Sequence, residues 1–190
     1  GKRVLCHDLH LELQPGDFCA ILGANGSGKS TLLQSLCGQL APAQGEILLR
    51  GKKLQTYSTR ELAQLIGILF QETNFHFAQP VFDYCAAARF PHQSLLQRDE
   101  SSNAALIQAV LKKLDLSTLA ARNIQQLSGG EQRRAAIASL FIQTPQIYLL
   151  DEPANHLDVP HQIAVMSQLQ ALSRDHIVIA SLHDMNTAAR

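Results

Sequence analysis

The chain has 190 residues, 46% of them hydrophobic, enough to bury a full core in one domain. Sixteen basic residues cancel sixteen acidic ones, so no global field exists to gather nucleic acid or an anionic membrane surface. Cys6, Cys19, Cys37 and Cys85 form no C-x-x-C pair and read as reduced thiols of a cytosolic protein, and no apolar run approaches the roughly 18 residues of a membrane span.

In chain order, Asp17 to Leu22 reads as a short buried strand, and a glycine-rich loop follows it. The spacing then predicts a helix from Ser30 to Leu40, stopping before Ala41-Pro42. Glu46 to Arg50 predicts a strand with a turn at Gly51-Lys52, and Ser58-Thr59-Arg60-Glu61 has the form of a capping box ahead of a short helix. Ile66 to Phe70 returns to strand, closed by Gln71. From Glu72 to Gln126 the texture changes to aromatic and polar residues, then a charged stretch, then Leu106, Val110, Leu111 and Leu114 at helical spacing, which predicts an inserted helical lobe. A further helix opens at Ser128 and ends near Thr144-Pro145, and Ile147 to Leu150 is an apolar strand ending in Asp151-Glu152. His161 to Leu172 predicts a helix, and Ile177 to Leu182 a last strand ending in His183. Strands alternating with helices predict an α/β fold with a mainly parallel sheet.

Gly23, Ala24, Asn25, Gly26, Ser27, Gly28, Lys29 and Ser30, followed by Thr31, satisfy G-x-x-x-x-G-K-[ST] between a strand and a helix. Glycines let the backbone curl so that successive N–H groups face inward, and the helix start adds positive potential. Lys29 reaches the outer phosphates of a nucleotide, and Ser30 can ligate Mg²⁺. Asp151 and Glu152 read as a metal-anchoring carboxylate and a neighbour that polarises water, or as the cap of a following helix. Ser128 and Glu131 make a second capping box, yet Gly129 and Gly130 in that first turn each cost about 1 kcal/mol relative to alanine in a helix interior. A close approach to that backbone, as by a γ-phosphate, accounts for them.

Leu127-Ser128-Gly129-Gly130-Glu131-Gln132 resembles the signature motif of ATP-binding cassette (ABC) nucleotide-binding domains, and the resemblance runs over essentially the whole chain. It implies a P-loop ATPase of one domain, 1–190, with an ATP-binding core at 1–71 and 146–190 and a helical subdomain at 72–145. It further implies that Gly23 to Thr31 is Walker A, Gln71 the Q-loop glutamine that senses Mg²⁺, and Ile147 to Glu152 Walker B with Glu152 catalytic. Asn155 to Asp158 would be the D-loop and His183 the switch histidine, which by itself reads as a strand-end residue. By the same resemblance two copies pack head to tail, so that Ser128, Gly129, Gly130, Glu131 and Gln132 of one close on ATP held by the other. The family's terminal strands and adenine-stacking aromatic are expected outside this stretch.

The absence of a long heptad array between residues 32 and 126 argues against relatives that act on DNA. Ser58 to Ala63, Arg89-Phe90-Pro91-His92 and Asn155 to Gln162 are similar to the ATPases of iron-siderophore, haem and cobalamin importers. That similarity implies transmembrane permease subunits as partners, indirectly a substrate-binding protein, and a place on the cytoplasmic face of the membrane. A soluble ABC protein working on ribosomes or DNA is the alternative. Phe75, Phe77, Phe82 and Tyr84 read equally as a groove for a membrane partner's helix or as lobe core.

Overall fold

Four of the apolar runs assemble into one parallel sheet. The computed structural model describes residues 8–93 and 100–182. Strands β1 (Phe18–Leu22), β4 (Ile66–Leu69), β5 (Ile147–Asp151) and β6 (Ile177–Leu182) lie in the order β1-β6-β5-β4. The register pairs Phe18 with Val178, Ile147 with Ile177 and Ile66 with Ile147. Between β1 and β4 lies a small hairpin, β2 (Leu48–Leu49) and β3 (Lys52–Lys53). Arg50 and Gly51 at its turn take φ of 52° and 74°, both left-handed as a tight two-residue hairpin loop of the primed kind requires.

Both faces of the parallel sheet are covered, which is why its strands are continuous apolar runs instead of alternating ones. Leu149 and Ile179 face helix α1 (Lys29–Leu36) through Leu33, together with Leu54 of the stretch that leads into helix α2 (Thr59–Leu65). Tyr148, Leu150, Val178 and Ala180 face the other way, toward helices α5 (Gly129–Gln143) and α6 (Val159–Leu172). That second cluster continues into the lobe helices α3 (Val81–Ala87) and α4 (Glu100–Lys113) through Val81, Cys85, Ile107 and Leu111. Lobe and sheet therefore share one hydrophobic core, with α5 packed against α3, α4 and β4. Among the described residues no helix is long and apolar enough to cross a membrane.

Several element bounds differ from the sequence expectation. Helix α1 ends at Leu36, short of Leu40, because Gly38 turns to φ 82° and the amides of Gln39 and Leu40 fold back onto the Gln34 carbonyl at 2.9 and 3.2 Å. The strand expected over Glu46 to Arg50 shrinks to Leu48–Leu49. Helix α6 begins two residues before His161, since Asp158 caps it and Pro160 fits the first turn. The Ser58–Glu61 capping box is present in full. Two of the three importer-like segments meet: Arg60 Nε, and Gln64 Nε2 just past the first segment, donate to the Pro91 carbonyl at 3.2 and 2.7 Å. Phe75, Phe82 and Tyr84 pack against the lobe core, Phe75 edge-on to Tyr84 at 5.2 Å, whereas Phe77 is exposed.

Gly67 marks the tightest crossing of sheet and α5. A Cβ there would lie 2.7 Å from Pro145 Cγ and 2.9 Å from Gln143 Oε1, and against Leu140. The Gln143 amide is itself committed, donating to the carbonyls of Ala63 (2.7 Å) and Ile66 (3.1 Å). Gly67→Ala is therefore expected to lower stability by about 1–3 kcal/mol through overpacking, measured as a reduced urea midpoint with unchanged slope.

Candidate functional site

All four parallel strands deliver their carboxyl ends to one edge of the sheet, where such folds bind ligands. The loop after β1 curls through Gly26 and Gly28 at φ 73° and 105°, closed by Ser27 N–H donating to the Ala24 carbonyl at 3.1 Å. Gly23 permits the curl, since a Cβ there would meet Ser27 Oγ at 2.7 Å. The loop runs straight into α1, whose cap is Gly28, with no side-chain acceptor and no acid in the first turn. Helices α2, α5 and α6 contrast with it: Ser58, Ser128 and Asp158 each accept a hydrogen bond from a first-turn amide. The amides at the start of α1 are thus free of any acceptor from their own cap and present an anion-binding surface.

Lys29, only 7% exposed, crosses the mouth of this loop. Its ammonium donates to the Gly23 carbonyl at 2.8 Å and the Ala24 carbonyl at 3.4 Å and lies 3.8 Å from Glu152 Oε1. Asn25, Gly26, Gly28, Lys29, Ser30, Thr31, Gln71 and Glu152 line one shared pocket. Residues of the 23–31 loop, Gln71 and Glu152 are thereby brought together from three strand ends. Hard oxygen donors fit a Mg²⁺–phosphate ligand there: the Ser30 hydroxyl, the Gln71 amide and the Glu152 carboxylate line the pocket, while Asp151, next to Glu152 in the chain, is buried at the end of β5 and does not line it.

Ser181, which the sequence reading passed over, and Asn155, which it placed only in the D-loop, hold the acids in place. Ser181 of β6 stands directly opposite Asp151 in the ladder and is fully buried. Its hydroxyl donates to Asp151 Oδ1 at 2.5 Å and accepts from the Glu152 N–H at 3.0 Å. A lone serine in the apolar run Ile177 to Leu182 was the available signal. Asn155 donates its side-chain amide to Glu152 Oε2, and Glu152 itself sits at φ 50°, a left-handed conformation unusual for a residue with a side chain. Ser181→Ala removes the buried hydroxyl that bridges the Glu152 N–H and the Asp151 carboxylate, so a loss of about 1–3 kcal/mol in thermal unfolding is expected, together with slower turnover by the same protein.

The Ser128 end of α5 lies apart from this pocket in the same chain. Its capping box is complete, with Ser128 N–H and Oγ both donating to Glu131 Oε2 at 2.7 and 2.8 Å. Those bonds from the Ser128 amide and hydroxyl hold the Glu131 carboxyl below its ordinary pKa. Gln132 donates to the Ile124 carbonyl at 3.1 Å. A Cβ on Gly130 would come within 3.2 Å of the His156 carbonyl, so that glycine is explained within the chain, whereas a Cβ on Gly129 would meet nothing. Asp158 caps α6 through the His161 amide at 3.1 Å, which holds its carboxyl low, and it does not line the pocket. His183 lies outside the described residues.

Comparisons with known proteins show the family. The family model described as ABC transporter matches residues 6–155. The ferric enterobactin transport ATP-binding protein FepC of Escherichia coli is 37% identical over 192 residues, covering 100% of this chain and 71% of that protein. The hemin import ATP-binding protein HmuV of Pseudomonas aeruginosa is 39% identical over 196 residues, covering 100% and 75%. A solved bacterial ABC transporter cassette, determined as a dimer, superposes with a TM-score of 0.85 at 27% identity, covering 97% of this chain and 82% of that one. Matched along all of its residues to ATP-binding subunits, and by the family model over 6–155, the chain belongs to the ABC transporter family.

Proposed function

We propose that this chain is the ATP-hydrolysing subunit of an importer for a metal chelate of the iron-siderophore, haem or cobalamin kind. The observation that carries the reading is the meeting of Lys29 and Glu152 at 3.8 Å across the pocket, which joins a phosphate grip to a candidate base. The names of FepC and HmuV, an enterobactin and a hemin system, support the cargo class.

In this reading the amides from Gly23 to Thr31 and the start of α1 hold the phosphates, and Lys29 neutralises charge on the outer two. Ser30, Asp151 and Gln71 would hold Mg²⁺, which supplies further charge neutralisation at the β and γ phosphates. Glu152 accepts the proton of the attacking water as its oxygen bonds to the γ-phosphorus and the bridging bond to ADP breaks. His183 is assigned to steady the γ-phosphate. A second copy supplies Ser128, Gly129 and Gly130 as the opposing clamp, an arrangement supported by the exposed Ser128 and by open space at Gly129. Glu131 and Gln132 stiffen that clamp through their bonds to Ser128 and Ile124, and Asp158 orders the segment beside it by capping α6.

Permease subunits in the membrane, and through them a substrate-binding protein, complete the machine on its cytoplasmic face. The test is capture of the permease by full-length protein, followed by ATP hydrolysis in vesicles with candidate chelates. Stimulation by a ferric siderophore, haem or cobalamin is expected. Co-purification with ribosomes and no response to any chelate would replace the transport reading.

A further inference from the structure

Helix α5 turns one stripe toward the core, and Arg133 stands on it with Ile137, Leu140 and Phe141 at i+4, i+7 and i+8. A cation there is costly unless every proton is used. Arg133 is 5% exposed, and its guanidinium donates to five main-chain carbonyls. Nη1 reaches Phe70 (2.6 Å) and Gln71 (3.2 Å), Nη2 reaches Asp151 (2.7 Å) and Glu152 (2.7 Å), and Nε reaches Pro153 (3.4 Å). The acceptors belong to two segments, one leaving β4 and one leaving β5. Their ladder runs to Leu69 beside Leu150, and past that point the guanidinium takes over its role. Burial lowers the Arg133 pKa to about 10, opposed by the charges of Asp151 and Glu152, so it stays cationic at neutral pH.

We propose that Arg133 is a positioning residue for hydrolysis, fixing the backbone from which Gln71 and Glu152 project and linking it rigidly to the Ser128 end of α5. The inference rests on the ATPase reading above. Ser128 lies five residues away, about 7.5 Å along the helix, so a displacement of that end is passed to the two carbonyl segments. In a head-to-tail pair the Ser128 end serves one nucleotide and Glu152 the other, and Arg133 is then the bridge between the two sites. Lysine cannot substitute, since a point ammonium with three protons does not span the five acceptors that a planar fork reaches.

The test compares full-length wild type, Arg133→Lys, Arg133→Met and Glu152→Gln, using a fluorescent ATP analogue for affinity and saturating MgATP for turnover. The Arg133 hydrogen bonds go to the Phe70–Gln71 and Asp151–Pro153 carbonyls and not to the phosphate loop, so nucleotide affinity is expected to stay within about threefold, while kcat falls roughly 10- to 100-fold in Arg133→Lys and further in Arg133→Met. Wild-type kcat in a folded Arg133 variant would overturn the assignment. So would parallel loss of affinity and kcat, or failure of both variants to fold, each of which reduces Arg133 to a structural role. Normal turnover by Glu152→Gln would instead remove the catalytic reading beneath it, which separates the two failures.

Discussion

Lys29→Ala is expected to weaken ATP binding roughly 100-fold, about 2.8 kcal/mol, and to bring hydrolysis to background. The size follows from where the ammonium sits. It is buried to 7% exposure, with its Nζ held at 2.8 Å from Gly23 and 3.8 Å from Glu152, inside the pocket lined by the loop amides. A charge fixed in advance in such a place meets a phosphate without reorganising, and its electrostatic contribution is far less screened than at an exposed site. Removing it also takes away the cation 3.8 Å from Glu152, so repulsion between that carboxylate and the phosphates is less offset. Equilibrium titration with a fluorescent nucleotide, alongside phosphate release, checks both halves. Binding within threefold of wild type would contradict the assignment of Lys29.

Glu152→Gln is expected to separate binding from chemistry. Glutamine keeps the shape and can still pair with Asn155, while the backbone contact from Glu152 N–H to Ser181 is untouched, so the fold and pocket are preserved. The base is lost. Turnover should fall by about 10²–10⁴-fold, the range that a positioned general base contributes, with nucleotide affinity unchanged or tighter. Because hydrolysis no longer disperses the clamp, the variant should accumulate as a nucleotide-dependent dimer at saturating MgATP. Light scattering reads this directly, and a variant that stays monomeric there counts against the shared-site arrangement.

The parts of this site that were legible in the sequence are those in which backbone conformation and chemistry coincide. A strand, a glycine curl and a helix start are written locally between Phe18 and Leu36, and so is the acid pair after Ile147 to Leu150. Capping boxes at Ser58 and Ser128 were equally local, and both formed. What stayed hidden was written between elements. Ser181 matters because strand order sets β6 beside β5 and the register sets it opposite Asp151. Arg133 matters because α5 crosses the ends of β4 and β5 just where their ladder stops. Neither fact can be read from neighbours in the chain, although a serine in an apolar strand and an arginine on an apolar stripe were both out of place. Gly130 taught the reverse lesson, since the His156 carbonyl of the same chain already asks for it.

Three helices, α2, α5 and α6, seal their own first turns with Ser58, Ser128 and Asp158, and α1 has no such seal. Nucleotide is to α1 what those side chains are to their helices, a finishing piece supplied by the solvent in place of the gene. Loading and folding are therefore coupled, and the melting temperature of this subunit is expected to rise with the concentration of the nucleotide it binds.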